Sequence, residues 1–402
     1  MRDFPRVLLL LFGFLLLFAA EILRVYFIMP FPGSQKANTI HLAYFIDRNI
    51  VWIRLVAVLM ILYPLAYILR QGKIWKKVLL TMAIVAYLLV AYAFNFKFLA
   101  DKMFYQPKNK LMVSVIDNRV DTNSLVIATE LQGQSKAYPI EIIGYHHQVQ
   151  DTIGGVPVLV TYCTVCRTGA IFNPYVHNKY THFRLVGMDH FNAMFEDEES
   201  KSWWRQVNGE AIAGPLRGEK LREFSSFQMR LGAWIREHPN TLILQPDTVF
   251  QKDYDDLIGY DSGTIKGSLE KRDSGSWNNK SWVVGLVERQ SAKAYDWNDL
   301  QKLKVINDTM NGDPVLLTLE PDSETFHALG RRVNGMVLSF TINDSSKLLF
   351  DDQTRSTWTL TGNCVAGRLK STTLQPVQSY QQFWHSWRTF HPNTTVFNTG
   401  KP

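Results

Sequence analysis

Cys163 and Cys166 close the stretch Val156-Pro157-Val158-Leu159-Val160-Thr161-Tyr162-Cys163-Thr164-Val165-Cys166. This spacing brings both sulfurs to one side of a turn. There they can share a metal ion, close a short disulfide, or supply a redox or nucleophilic thiol. The residues that follow, Arg167 to Pro174, read as a turn into a strand and not as the first turn of a helix, which favours a cysteine knuckle over a thioredoxin-type site. Arg167 adds positive charge that stabilises a thiolate. His146 and His147 precede the knuckle, separated from it by the turn Thr152-Ile153-Gly154-Gly155. An imidazole there can complete a metal site or serve as base to a thiol. The metal candidates are therefore Cys163, Cys166, His146 and His147; a thiol enzyme would use Cys163 and Cys166 with His146 as base. The leading reading is a metal held by Cys163, Cys166 and His146: soft thiolates with imidazole select Cu or Zn, and three protein ligands leave one position open. A third reading makes the knuckle a staple in a non-catalytic scaffold or binding protein. There is no second Cys-x-x-Cys, which excludes a four-cysteine zinc ribbon.

The elements around this knuckle recur. Ser124-Leu125-Val126-Ile127, Lys136-Ala137-Tyr138, Asp151-Thr152 and Pro157 return 157 residues later as Ser281-Trp282-Val283-Val284, Lys293-Ala294-Tyr295, Asp308-Thr309 and Pro314. Asp197 and Ser202-Trp203 align with Asp352 and Thr357-Trp358, leaving Trp204 unmatched. Trp234 and His238-Pro239-Asn240-Thr241 align with Trp387 and His391-Pro392-Asn393-Thr394. The second copy holds Glu320 and Ser323 at the cysteine positions and Leu303 and Lys304 at the histidine positions, so all four candidates are lost together. That co-absence ties them to one site. Features kept in both copies, including His238, His391 and the Asp197 segment, read as scaffold.

The pattern predicts strands over 125–130, 156–162, 170–172 and 181–186. Phe227, Leu231 and Trp234 are spaced for a helix capped by Ser225 or Ser226, with Tyr380, Trp384 and Trp387 repeating the spacing after Ser379. The fold class is α+β: a three-helix transmembrane region, then a duplicated, β-rich domain with a pseudo-two-fold internal repeat. The expected boundaries are 1–100 for the membrane region, 110–245 for the first repeat with the site, 246–280 for a linker rich in Asp, Gly, Ser and Lys, and 281–402 for the second repeat.

Three apolar runs, at about 7–28, 51–69 and 78–98, are long enough to cross a bilayer. Pro30-Phe31-Pro32 is not a small-residue cleavage site, so the first run reads as an uncleaved span. Arg70, Lys73, Lys76 and Lys77 between the second and third runs place that loop and the N-terminus in the cytoplasm, and residues beyond 100 on the outer face, periplasmic or extracellular. Glu21 and Arg24 are taken as nearly the only ionisable residues in the spans, which argues against a transport path. Net charge is +7, much of it at membrane flanks, and no basic block is interleaved with aromatics. The partner implied is the membrane and not nucleic acid; no small-molecule or protein partner is indicated.

Tyr162-Cys163-x-x-Cys166, the upstream His146, Ser202-Trp203 and the Gly209-to-Gly214 run resemble the bacterial family catalogued as domain of unknown function 3179, over most of residues 110–402. The resemblance implies a bacterial secreted or membrane-attached protein, here of the inner membrane, without an assigned activity. Three positions depart from the family pattern: His146-His147 replaces a usual His-Glu, Gln150-Asp151 a usual Asn-Asp, and Thr164 a usual proline.

Overall fold

The computed structural model describes residues 4–36, 38–288 and 291–398. Three helices at the N-terminus are long and apolar enough to cross a membrane: α1 (Phe4–Tyr26), α2 (Ile40–Gln71) and α3 (Ile74–Phe96). They are followed by a β-rich region with short helices. The chain divides into two compact units, one of residues 1–105 with 175–220, the other of residues 106–174 with 221–402.

In the first unit the helices pack through small residues. A Cβ on Gly13 would sit 2.5 Å from Ile61, so only glycine lets α1 lie this close to α2. The expected second span lies inside a longer helix, and α2 begins at Ile40. Its first turns mix apolar residues with His41, Asp47, Arg48 and Asn49 and meet the sheet of residues 183–213: Tyr44 packs edge-on against Trp203 at 5.0 Å, and Arg48 pairs with Glu196. The spans also hold more charge than Glu21 and Arg24. Arg54 on α2 donates to both oxygens of fully buried Glu21, at 2.6 and 2.8 Å, and Asn95 on α3 donates to Glu21 at 2.9 Å. In an apolar bundle a buried carboxylate is kept only by such a forked partner.

The second unit is built from antiparallel ladders. Strand Val156–Cys163 pairs with Gln148–Ile153 on one side and Thr168–Phe172 on the other. From Val158 to Cys163 both of its faces are buried, which explains a continuous apolar run instead of an alternating one. A five-stranded sheet holds Leu125–Leu131 beside Gln134–Pro139, which leads into the helix Ile140–His146. The same succession, two strands, a seven-residue helix and three strands, occurs from Trp282 to Gly330.

Two local expectations are corrected. Phe227 lies in a strand, Phe227–Arg230, and the helix begins at Leu231 with Arg230 in the cap position and no side-chain cap. Tyr380 likewise lies in strand Ser379–Phe383, ahead of helix Trp384–Phe390. The i, i+4, i+7 spacing therefore spans a strand-to-helix junction, where tertiary pairing with Leu125–Leu131 overrides the local pattern. The second correction is one of register. Asp197 accepts from the Ser200 and Ser202 amides and from Trp204 Nε1; Asp351, not Asp352, accepts the matching bonds from Thr354, Ser356 and Trp358 Nε1. Trp204 thus corresponds to Trp358, and both carboxylates order a turn.

The His-Pro-Asn-Thr segments have a packing role. His238 stacks on Trp234 at 3.7 Å while Trp234 Nε1 donates to Thr241 Oγ1 at 2.9 Å. His391, Trp387 and Thr394 make the same arrangement at 4.1 and 2.8 Å.

Candidate functional site

The site lies within the second unit. Cys163 ends its strand, Cys166 follows in the turn, and both are fully buried. The turn closes with Arg167 in the left-handed region, at φ 56°. A buried tight turn exposes carbonyls that need donors. Tyr260 Oη donates to Thr164 O at 2.9 Å, Lys280 Nζ to Val165 O at 2.9 Å, and the Phe383 amide to Cys166 O at 2.9 Å. These three donors come from the expected linker and second repeat, so residues up to 217 positions away in sequence hold the knuckle.

Arg167 is fully buried. Its guanidinium donates to Gln381 Oε1 at 2.7 Å, Tyr260 O at 3.1 Å and Asp261 O at 2.9 Å, and lies 3.7 Å over the Trp282 ring. The planar, forked donor set matches these fixed acceptors, and stacking completes the enclosure. Arg167 is thus committed to holding the turn, and a second cation, Lys280, is in the electrostatic field of both cysteines. Burial lowers the Lys280 ammonium below its ordinary value, while Cys166, Glu270 and Cys163 act in the opposite sense. His385 Nε2 lies 3.1 Å from both Lys280 Nζ and Val165 O, so the imidazole shares that carbonyl with the ammonium. Burial, with Lys280 adding to it, pushes His385 down to about 4, so this ring is neutral at pH 7.

The two candidate histidines have different surroundings. His146 ends its helix in an aromatic cluster, with Nε2 2.7 Å from Tyr254 Oη and its ring edge-on to Tyr145, Phe250 and Tyr254. His147 takes the left-handed position after that helix, at φ 59°, and its carbonyl accepts from the Tyr162 amide at 2.9 Å. Its Nδ1 lies 3.1 Å from Tyr162 O. A carbonyl can only accept, so Nδ1 carries the proton and Nε2 the lone pair. Burial pushes His147 down to about 4, with His146 adding to the effect, which keeps the ring neutral. His147 is therefore the imidazole fixed against the Tyr162-Cys163 strand end.

Tyr254, Tyr260, Lys280 and His385 were not singled out in sequence. Their signal was weak: tyrosines in a segment rich in Asp, Gly, Ser and Lys, and a histidine whose counterpart 153 residues earlier is Gly232. Among the described residues, the three metal-capable side chains whose ligand atoms fall within 4.8 Å of one another are Glu237, Glu320 and His327. Glu320 is bonded there by His327 at 3.0 Å and by Arg236 at 2.5 Å, which makes this an internally satisfied ion network.

Residues 108–394 match the family described as Protein of unknown function (DUF3179). The chain belongs to this family. The match takes in both cysteines, both histidines, and the residues from Tyr254 to His385 that enclose the knuckle. No curated protein and no solved structure matches this family member.

Proposed function

We propose that this chain is a membrane-anchored protein that holds a thiophilic metal ion, Cu or Zn, through Cys163, Cys166 and His147. The observation that carries this reading is the state of His147: a neutral ring whose Nδ1–H is committed to the carbonyl of Tyr162, the residue before the buried Cys163. Metal-ligating histidines are fixed in this way by a carbonyl on their other nitrogen. His146, tied to Tyr254, is a supporting residue in this scheme. Loading would draw the thiolates and the imidazole together around the ion. The repeat is part of the proposal: the same succession of elements from Trp282 to Gly330 supports a duplication in which the second copy lost the site. The orientation belongs here as well, with the β-rich region on the outer face of a bacterial inner membrane.

Lys280 favours a second reading. A buried ammonium whose electrostatic partners include Cys166 and Cys163 stabilises a thiolate without any metal, as a nucleophilic or redox thiol requires. Elemental analysis of the purified full-length protein decides between them. The expected result is about one equivalent of Cu or Zn in the wild type, lost in Cys163→Ser and strongly reduced in His147→Gln. Equal metal content in wild type and Cys163→Ser would sink the metal reading. A thiol whose alkylation rate titrates well below the ordinary value of about 8.5, and returns toward it in Lys280→Met, would then support the second.

A further inference from the structure

The helical bundle has a cavity of about 340 Å³ at the end that carries the Arg70–Lys77 loop. Its walls are the first turns of α1, the last turns of α2 and the first turns of α3, with Val7, Leu10, Leu79 and Ala83 among them. Val7 and Leu79 remain largely exposed, so this apolar surface faces the bilayer. Pro64 of α2 lines the cavity and cannot donate to the Met60 carbonyl one turn earlier.

The rim has the opposite character. Arg6 and Lys76 both line the cavity. The Arg6 guanidinium lies 4.0 Å over the Tyr67 ring, with Nε donating to Tyr63 Oη at 3.1 Å, and Lys76 stands over Trp75. None of the residues lining the cavity is acidic, and the sequence has no Asp or Glu from residue 55 to residue 100. An apolar slot between membrane helices, closed at the headgroup end by two cations with aromatic neighbours, matches a molecule with a hydrocarbon chain and a negative head. The geometry points to a binding site for one anionic phospholipid: an acyl chain fills the slot and the phosphate meets Arg6 and Lys76. The Tyr67 and Trp75 rings keep the two cations at headgroup level.

The test uses the full-length protein in mild detergent, incubated with phosphatidylglycerol and phosphatidylcholine of identical chains and read by native mass spectrometry. The wild type is expected to retain one phosphatidylglycerol in preference to phosphatidylcholine. Lys76→Gln should reduce that preference about fivefold, the effect of one cation near a lipid phosphate. Ala83→Phe should fill the slot and abolish retention of both lipids, with the melting curve in detergent unchanged. Equal retention of the two lipids by the wild type, or a preference unaltered in both variants, would overturn the assignment. So would displacement of the lipid by millimolar inorganic phosphate, since that result would place the affinity in the phosphate alone.

Discussion

At the scale of single residues, the cysteine turn is held by charges that cannot all be ionised without cost. Glu324 shows this best. Burial pushes its carboxyl up to about 7, with Asp261 adding to the shift and Arg167, Arg230 and Arg272 opposing it. Its Oε2 is buried and has no hydrogen-bond partner among the described residues. The folded chain therefore keeps a proton that the unfolded chain releases near the ordinary carboxylate value of 4.5. That contribution is fully present below about 4.5 and is lost as pH rises through about 7. His147 and His385, both held down to about 4, act the other way, since the unfolded chain takes protons there that the fold refuses. Comparing Glu324→Gln with the wild type cancels the histidines. The variant should gain stability relative to wild type as pH rises from 4.5 to 8, by on the order of 1–3 kcal/mol. Thermal unfolding of the detergent-solubilised protein across this range checks it, and a difference that stays constant with pH would refute the assignment. Nothing in the sequence around Glu324 marks it as buried. What was legible at this scale was the Cys163/Cys166 pair, because its spacing alone is chemically restrictive. The proposed preference for His147 over His146 was not, because it rests on the left-handed backbone at His147 and the contact of its ring with Tyr162 O.

At the scale of elements, the strands around the site could be read because burial on both faces leaves a continuous apolar run, as in Val156–Cys163. The junctions could not be. Phe227 and Tyr380 fall in strands because each is paired across a ladder, and a helical spacing that crosses a junction carries no record of that pairing. The segment 246–280 misled in the opposite direction. Its Asp, Gly and Ser content reads as a connector, yet Tyr254 and Tyr260 are buried and Tyr260 caps the cysteine turn. Close packing inside an element was equally hidden. Gly285 lies in the middle of strand Trp282–Glu288, and a Cβ there would stand 2.0 Å from Trp387. The corresponding position in the first ladder is Ala128, so the sequence shows only a Gly/Ala exchange. Trp387 is fully buried, and its indole is fixed to Thr394, so it cannot retreat. Gly285→Ala should therefore destabilise the protein by about 1–3 kcal/mol through overpacking, despite the better strand propensity of alanine. Chemical denaturation followed by tryptophan fluorescence measures this. A neutral or stabilising result would mean that Trp387 moves freely.

At the scale of the whole molecule, the three apolar helices were the most legible feature, because length and hydropathy alone identify a span. Which side each flank faces is a separate matter of charge. Arg70 in the last turn of α2, Lys73 in the loop, and Lys76 and Lys77 in the first turn of α3 flank the α2–α3 connection, whereas Lys97, Lys102, Lys108 and Lys110 follow α3, so both ends of α3 carry cations. The positive-inside bias favours the α2–α3 loop as the cytoplasmic one because its four cations fall within eight residues of the membrane-spanning helices. In the proposed topology, three crossings would put the cysteine turn outside, where thiols meet an oxidising compartment and a metal or thiol site would act on what passes there. The native cysteines cannot report this, since Cys163 and Cys166 are fully buried and Cys364 nearly so. Exposed positions can. Ser268→Cys, in the second unit, should react with a membrane-impermeant maleimide on intact spheroplasts. Lys73→Cys, in the α2–α3 loop, should react only after lysis. The reverse pattern would place the β-rich region in the cytoplasm. There a reducing compartment would keep Cys163 and Cys166 as thiols, and an outer-face metal role would be ruled out, whatever the metal content of the purified protein.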